Sequence, residues 1–166
     1  MKVKEVMTGD VKSCFPDTNL AAAAVLMWEN DCGFLPVVVD GGNAIGVITD
    51  RDIAMAVGTK GRAPQDLRVD EVIHGPVIAC TLDDDVHAAL ETMRKDKLRR
   101  LPVLNNEGVL KGILSINDVV IHAQKGNKEL NYDDVVRTFK AICEHPLLAV
   151  RSAATSEWGS LRTEAT

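Results

Sequence analysis

The sequence predicts a mixed α/β fold, of the α+β kind, in which one structural unit occurs twice in tandem. Residues 3–55 align with residues 69–121 at a constant offset of 66 without a gap, and 16 of the 53 aligned positions are identical. About three identities would be expected by chance at average residue usage. In both copies the apolar pattern changes between helical and extended spacing in the same order. We therefore expect two similar halves packed together in one compact protein.

Each copy begins with a short apolar stretch that is followed by a helix. In the first copy the stretch spans residues 11–14, and Pro16-Asp17-Thr18 supplies a turn. Apolar residues then recur at helical spacing. They are Leu20, Ala23, Ala24 and Met27 in the first copy and Val86, Ala89, Leu90 and Met93 in the second.

Two extended runs joined by a turn come next in each copy. In the first copy the runs are residues 34–39 and 44–48, and the turn residues between them are typical of a hairpin. A short helix follows, which Thr49 or Asp50 can cap in the first copy and Ser115 can cap in the second. Each unit is thus predicted as strand, helix, strand, strand, helix.

Composition places the boundaries of these units. The stretch from Gly58 to Pro64 is polar and rich in turn-forming residues. We assign residues 1–60 to the first unit, 61–67 to a linker, 68–124 to the second unit and 125–166 to a C-terminal extension.

The C-terminal extension is predicted to contain one helix and a mobile tail. Acidic residues follow Asn131, and apolar residues recur at helical spacing before Pro146. The last stretch, residues 151–166, is mostly small and polar, which is typical of a mobile tail. The apolar stripe of the helix consists of Val135, Val136, Phe139 and Ile142.

Composition and charge argue against several classes of protein. The net charge is −5 and the isoelectric point is about 5.3, so nucleic acid is not an expected partner. No apolar run approaches the roughly 20 residues that cross a membrane, and residues 1–5 lack the apolar core of a signal peptide. We therefore expect a cytoplasmic protein without a membrane partner. The four cysteines are scattered, and we expect buried, reduced thiols.

Each unit ends on the same sequence motif, which is the strongest candidate for a binding site. A glycine and two aliphatic residues precede a hydroxyl residue, and an aspartate follows three positions later, at Thr49 and Asp52 and again at Ser115 and Asp118. A carboxylate can accept two hydrogen bonds from a vicinal diol, and a helix start can receive a phosphate. The hydroxyl residues can equally be simple N-caps, and the aspartates can simply favour the positive ends of their helices.

These residues resemble those of the cystathionine beta-synthase (CBS) domain, present here as a tandem pair, or Bateman module, over about residues 1–124. The resemblance rests on Leu-Pro-Val at 35–37 and 101–103, the glycine before a hydrophobic strand, and the Thr/Ser-x-x-Asp ending. It implies two domains packed about a pseudo-two-fold axis, with two clefts for a regulatory ligand: AMP, ADP, ATP or S-adenosylmethionine. It also implies a homodimer that signals occupancy to an unidentified regulated protein.

The resemblance also implies where a ligand would be held. Asp52 and Asp118 would bind the ribose, and Thr49 and Ser115 would lie beside the phosphates. The adenine would lie against the first strand and the Leu-Pro region of each unit. These positions are Lys12, Ser13, Cys14, Phe34, Leu35 and Pro36 in the first unit, and Ile78, Ala79, Cys80, Arg100, Leu101 and Pro102 in the second.

The two clefts are not predicted to be equal. Arg51 can reach a phosphate in the first, whereas Asn117 stands at that position in the second. The second unit instead carries Arg99 and Arg100 before its Leu-Pro. These cations can neutralise phosphates across the cleft, or they can simply complement the C-terminus of the preceding helix.

Other kinds of site have little support in the sequence. Val47 stands where a phosphate-binding loop would need its lysine, and no His or Cys pair has the spacing of metal ligands. No nucleophile with a base can be located, so we expect neither a metal nor catalysis. We predict a regulatory sensor of adenosine-containing ligands. The alternative is a scaffold for dimerisation or partner binding whose clefts are degenerate.

Overall fold

The computed structural model describes residues 1–144, which form five α-helices and two β-sheets. The helices are α1 (Leu20–Glu29), α2 (Asp50–Lys60), α3 (Val86–Asp96), α4 (Ile116–His122) and α5 (Tyr132–Cys143). The strands are β1 (Thr8–Gly9), β2 (Phe34–Val38), β3 (Ala44–Thr49), β4 (Cys80–Thr81), β5 (Arg100–Leu104) and β6 (Leu110–Ser115). The predicted fold class, with the two repeats and a C-terminal helix, is confirmed. The predicted tail lies outside the described residues.

Each repeat is centred on an antiparallel hairpin. In the first repeat β2 pairs with β3, and in the second β5 pairs with β6 in the same register. The second hairpin is extended by β4, which runs parallel to β5, and by β1, which runs antiparallel to β6. Within residues 1–144, no helix has both the length and the apolar character to cross a bilayer.

The predicted first strand of each repeat is shorter than expected. In the first repeat only Cys14 pairs, through a single parallel bridge to Val37, and β4 has two residues. Cys14 N–H donates to the carbonyl of Pro36 at 3.0 Å, and Val38 N–H donates to the carbonyl of Cys14 at 2.9 Å. The next ladder bond towards Lys12 would need an N–H on Pro36, which proline lacks. Residues 11–13 are therefore free to leave the sheet.

The two repeats exchange their first residues. Val3 and Val6 lie in the hydrophobic core of the second repeat, whereas Leu67 and Val69 lie in that of the first. Val3 N–H donates to the carbonyl of Asp84, and Val69 N–H donates to the carbonyl of Thr18, both at 2.9 Å. The packing thus crosses the boundaries that composition suggests, and neither core is built from one repeat alone.

A local two-fold axis relates the two hairpins. Leu110 N–H donates to the carbonyl of Gly42 at 2.9 Å, and Ala44 N–H donates to the carbonyl of Gly108 at 3.2 Å. The two bonds exchange under the offset of 66, and Asn43 forms an isolated bridge with Val109, its own equivalent. Gly42 and Gly108 have φ values of +82° and +80°, a backbone region that favours glycine.

Helix α5 breaks this symmetry because it covers the second repeat only. It packs on α3 and α4, and its fully buried Thr138 accepts a hydrogen bond from Nη1 of Arg94 at 3.0 Å. The predicted apolar stripe is divided: Val135 and Ile142 pack on the core, whereas Val136 is 57% exposed. The reason is that residues 135 and 136 point about 100° apart around a helix.

The exchange of first residues makes a prediction about local stability. Val3→Ala is expected to destabilise the protein by about 2 kcal/mol, because it removes buried methyl groups and leaves a cavity. Since Val3 lies in the second core, amide hydrogen exchange should accelerate more in α3 than in α1.

Val69→Ala is the matched control, since it makes the same change at the equivalent position. It should reverse the pattern and accelerate exchange more in α1 than in α3. Faster exchange mainly in α1 for Val3→Ala would show that the first residues do not cross between the cores.

Candidate functional site

In both copies the motif forms a capping box at the start of a helix, α2 in the first repeat and α4 in the second. Asp52 Oδ2 accepts hydrogen bonds from the backbone N–H and the hydroxyl of Thr49, at 2.9 and 2.6 Å. Asp118 Oδ2 makes the same bonds to Ser115, at 2.7 and 2.5 Å. Each hydroxyl oxygen accepts in return from the aspartate N–H at 3.2 Å. The N-cap role is therefore real in both copies, but it occupies only one carboxylate oxygen of each aspartate.

The second carboxylate oxygen distinguishes the two motifs. Asp118 Oδ1 accepts a hydrogen bond from the hydroxyl of Thr8 at 3.1 Å, which joins the start of the chain to the second motif. His74 stands at the position equivalent to Thr8. Within residues 1–144, no hydrogen bond reaches Oδ1 of Asp52.

The second motif borders a cavity of about 320 Å³. Its walls come from both repeats, because β1 pairs with β6 and so leads residues 10–12 past Ser115 and Asp118. The lining residues are Thr8, Asp10, Val11, Lys12, Asn30, Cys32, Phe34, Arg100, Ile113, Ser115 and Asp118.

This arrangement differs from the one that the sequence indicated. Lys12 and Phe34 were expected with the motif of their own repeat, but they lie with Ser115 and Asp118. Lys12 is brought there because β1 pairs with β6, and Phe34 because it lies against Arg100, its equivalent in the second repeat. Thr8, Asp10, Val11, Asn30 and Cys32 could not be found from the sequence, because no local pattern ties them to a motif more than about 80 residues away. Ile113 lies only two residues before Ser115 and was interpreted only as part of the strand.

The cavity combines an apolar wall with charges of both signs. Val11, Phe34 and Ile113 are apolar, Lys12 and Arg100 are cations, and Asp10 and Asp118 are anions. The guanidinium of Arg100 lies 6.0 Å from the centroid of the Phe34 ring, within the range of a cation–π contact. Such a cavity can hold a flat apolar ring, a pair of hydroxyls and an anionic group at once.

Arg100 also borders a second, smaller cavity. This cavity has a volume of about 250 Å³ and lies between the second motif and α5. It is lined by Arg99, Arg100, Ser115, Ile116, Asn117 and Phe139. Arg99 and Asn117 thus lie near the second motif, on the side of α5.

The remaining predicted positions divide into buried and accessible residues. Arg51, Asp52 and Ile78 are exposed, and Ser13, Thr49 and Ala79 are partly buried; none of these six lines the 320 Å³ cavity. The other six are buried in the sheets and cores, where only their backbone groups can face a ligand. They are Cys14, Leu35, Pro36, Cys80, Leu101 and Pro102.

The cysteines only partly match the expectation of buried thiols. Cys14 and Cys80 are buried, and burial raises the pKa of their thiols to about 11 and about 12, which makes them unreactive. Cys143 is exposed, because it is the last residue of α5 and lies beyond Ile142, which packs on the core. Within residues 1–144, no three His, Cys, Asp or Glu side chains are grouped as metal ligands.

Curated relatives share sequence with both repeats. The chain is 30% identical over 120 residues to the uncharacterized protein MK0525 of Methanopyrus kandleri, covering 72% of this chain and 61% of that protein. It is 31% identical over 120 residues to the CBS domain-containing protein YhcV of Bacillus subtilis, covering 72% and 84%. The 34% identity to inosine-5'-monophosphate dehydrogenase of Mycobacterium tuberculosis spans 69% of this chain but only 21% of that enzyme.

Solved structures share the fold. The CBS-domain containing protein ATU1752 from Agrobacterium tumefaciens has a TM-score of 0.65 at 30% identity, covering 73% of this chain and 98% of that one. CBSX2, in complex with AMP, has a TM-score of 0.65 at 24% identity, covering 72% and 93%. The CBS pair of MJ0100, in complex with 5'-methylthioadenosine and S-adenosyl-L-methionine, has a TM-score of 0.66 at 22% identity, covering 73% and 94%.

The family model for the CBS domain matches residues 3–59 and residues 69–125. Each match coincides with one copy of the internal repeat, and together they cover more than half of the chain. The protein therefore belongs to the CBS domain family and carries two CBS domains in tandem.

Proposed function

We propose that this CBS pair is a regulatory module that binds an adenine nucleotide in the 320 Å³ cavity, which we call the ligand cleft. The module then signals to a partner protein whether the ligand cleft is occupied. CBS pair proteins are regulatory, and MJ0100 and CBSX2 hold adenosine-containing ligands. Those two structures establish a shared fold. The observation that carries the ligand class for this chain is the joint presence of Asp118, Lys12 and Arg100 in one cleft.

The ribose is assigned to Asp118. Its Oδ2 is held by Ser115, so the carboxylate is fixed in position before any ligand arrives. Its Oδ1 bonds only the Thr8 hydroxyl, which leaves it able to accept from a ribose hydroxyl. Because the acceptor is ionised, each such bond is stronger than one between neutral groups.

The base and phosphate are assigned to the other walls. Val11 and Ile113 form an apolar surface on which a purine can lie, since flat rings bury apolar area well. Lys12 and Arg100 supply positive charge for phosphate oxygens. The same two cations disfavour the sulfonium and ammonium groups of S-adenosylmethionine, so we favour AMP, ADP or ATP as the ligand.

The equivalent cleft at Thr49 and Asp52 is a poorer nucleotide site. Under the offset of 66, Ile78 replaces the cation Lys12, and Asp96 replaces the neutral Asn30. These two replacements remove a positive charge and add a negative one, while Pro76 in place of Asp10 removes a negative one. The equivalent cleft is therefore less positive by one charge, which disfavours a phosphate. We therefore propose one tightly held nucleotide per chain, in the cleft of the second motif.

We also propose that the protein forms a homodimer in the cytoplasm. Helix α5 packs on α3, so the outer side of α3 is not available to a second copy. The exposed residues Ile121, Val136 and Phe139 instead lie on α4 and α5, two helices in contact, and form an apolar surface for a second copy. The four unpaired cysteines favour a reducing compartment.

A pair of equivalent substitutions tests the ligand cleft. At a hundredfold excess over Kd, AMP or ATP should stabilise the unmodified protein by about 2.7 kcal/mol and raise Tm by roughly 5–10 °C. Asp118→Ala should weaken binding by about 1.5–3 kcal/mol, roughly 10- to 150-fold in Kd, because the ribose loses its charged acceptor. Calorimetric titration measures both the affinity and the number of sites.

Asp52→Ala is the matched control. It removes the same capping box from α2, so its loss of stability should resemble that of Asp118→Ala, while nucleotide affinity stays unchanged. If nucleotide fails to shift Tm in the unmodified protein, the ligand proposal is wrong and the scaffold alternative is favoured. If Asp52→Ala abolishes binding and Asp118→Ala does not, the cleft is assigned to the wrong motif.

The role of Arg100 is tested by comparing ligands. Arg100→Met should weaken ATP by about 1.5–3 kcal/mol, because a charge-assisted phosphate contact is lost, and should leave adenosine nearly unchanged. Methionine retains an apolar side chain over Phe34, so packing there is largely kept. Equal losses for ATP and adenosine would mean that the arginine only supports the wall of the cleft.

The assembly is tested by mass. Ile121→Glu should convert the dimer to a monomer in light scattering, because a carboxylate in an apolar interface loses its hydration. Lys60→Glu, on the exposed end of α2, serves as the control and should leave the dimer intact. A monomer mass for the unmodified protein at every concentration would rule out the homodimer.

A further inference from the structure

We propose that Asp10 sets the number of phosphates on the nucleotide that the ligand cleft accepts, because its carboxylate disfavours each additional phosphate. AMP is then the expected ligand rather than ATP. Asp10 thereby selects one member of the ligand class in the proposed function, on which this inference rests. Binding of a nucleotide and the dependence of its affinity on phosphate charge are separate measurements, so the two proposals can fail separately.

The position of Asp10 at the ligand cleft is fixed by the strand before it. Gly9 pairs with Gly112 of β6, and a Cβ atom on Gly112 would collide with the backbone carbonyl oxygen of Thr8. The hydroxyl of Thr8 also donates a hydrogen bond to Asp118 at 3.1 Å. Asp10 follows directly and lines the cleft, so the strand pairing holds its backbone next to a bound ligand.

The backbone at residue 10 does not require an acid. Asp10 has a φ of +50°, in the left-handed region that glycine and asparagine also adopt. In the second repeat the left-handed residue is Gly75, with a φ of +73°, and Pro76 stands at the position equivalent to Asp10. The turn can therefore be built without a carboxylate.

The carboxylate of Asp10 has no structural partner. In the described part of the chain, residues 1–144, no hydrogen bond or ion pair engages it. The side chain is exposed and borders the same cavity as Lys12 and Arg100. Asp10 thus contributes a negative charge to the cleft, and that charge acts on whatever anionic group the two cations attract.

The charges around the ligand cleft match a monophosphate. Lys12 and Arg100 supply two positive charges for the phosphate, and Asp118 is assigned to the ribose. Arg99 lines the adjoining 250 Å³ cavity and can meet one further negative charge. Asp10 cancels that additional cation, so the charge of further phosphates stays uncompensated.

The size of this effect follows from Coulomb's law. Charges across a cavity of about 320 Å³ lie roughly 7 Å apart, where one unit charge changes the affinity for another by about threefold in water. AMP carries about two negative charges and ATP about four. Loss of the Asp10 carboxylate should therefore strengthen AMP by about sevenfold and ATP by about fiftyfold at low salt.

The test titrates adenosine, AMP and ATP into the full-length chain by calorimetry, without Mg²⁺ and at low ionic strength. Asp10→Asn removes the charge, keeps the size of the side chain and tolerates the left-handed backbone. We expect these gains for AMP and ATP and no change for adenosine. About 1 M salt, which reduces the screening length to about 3 Å, should remove most of both gains.

Two further variants serve as controls. Asp40→Asn makes the same change in net charge at an exposed residue that does not line the ligand cleft, and it should leave all three affinities within about twofold. Asp10→Gly removes the whole side chain at a φ that glycine adopts readily, so it should reproduce the gains of Asp10→Asn.

Several outcomes would overturn this role of Asp10. Equal gains for AMP and ATP, or no gain for either, would show that phosphate charge is not what Asp10 opposes. Weaker adenosine binding in both Asp10 variants would assign the carboxylate to the base or the ribose. Tighter binding of ATP than of AMP to the unmodified protein would remove AMP as the expected ligand. If none of the three ligands binds, the ligand cleft itself is wrong, and the role of Asp10 fails with it.

Discussion

The burial of Val3 in the second core and of Val69 in the first is the contact on which the rest of the structure depends. Each core includes the first residues of the other repeat, and this exchange binds the two halves into one body. The same exchange carries residues 8–12 along β6 and past Asp118. The ligand cleft is thus a consequence of how the cores are completed, and neither repeat could form it alone.

The duplication gives each position an equivalent in the other repeat, and sequence differences give the two equivalents different chemistry. Phe34 and Arg100 occupy the same place in the two repeats, yet one supplies an aromatic face and the other a charge, and the two lie against each other. The aspartates of the two motifs cap their helices identically, but only Asp118 is joined by Thr8 and lines the cleft. The two repeats share one backbone arrangement, and the side chains that differ between them determine what the cleft can bind.

The sequence predicted the fold better than the site. Local signals identify the helices and hairpins, because apolar periodicity and turn residues act within each repeat. The cleft depends on contacts between Thr8 and Asp118, which are 110 residues apart, and no local pattern reports them. The shortened first strand was open to prediction, since Pro36 and Pro102 each lack the N–H that a longer ladder requires. The sequence could not show that Val135 and Ile142 of α5 pack on the core while Val136 is exposed, because this depends on which side of α5 faces the second repeat.

The ligand cleft shares a wall with another cavity, of about 410 Å³, which lies between the end of α1 and the start of α2. Cys32 lines both cavities, Asn30 lines the ligand cleft, and Trp28 lines the other cavity, so the end of α1 separates the two spaces. A ligand influences a partner only if it favours one arrangement of an element that both contact. The turn after α1, where Asp31 adopts a φ of +47°, borders both cavities and is therefore the segment through which such an influence would have to pass.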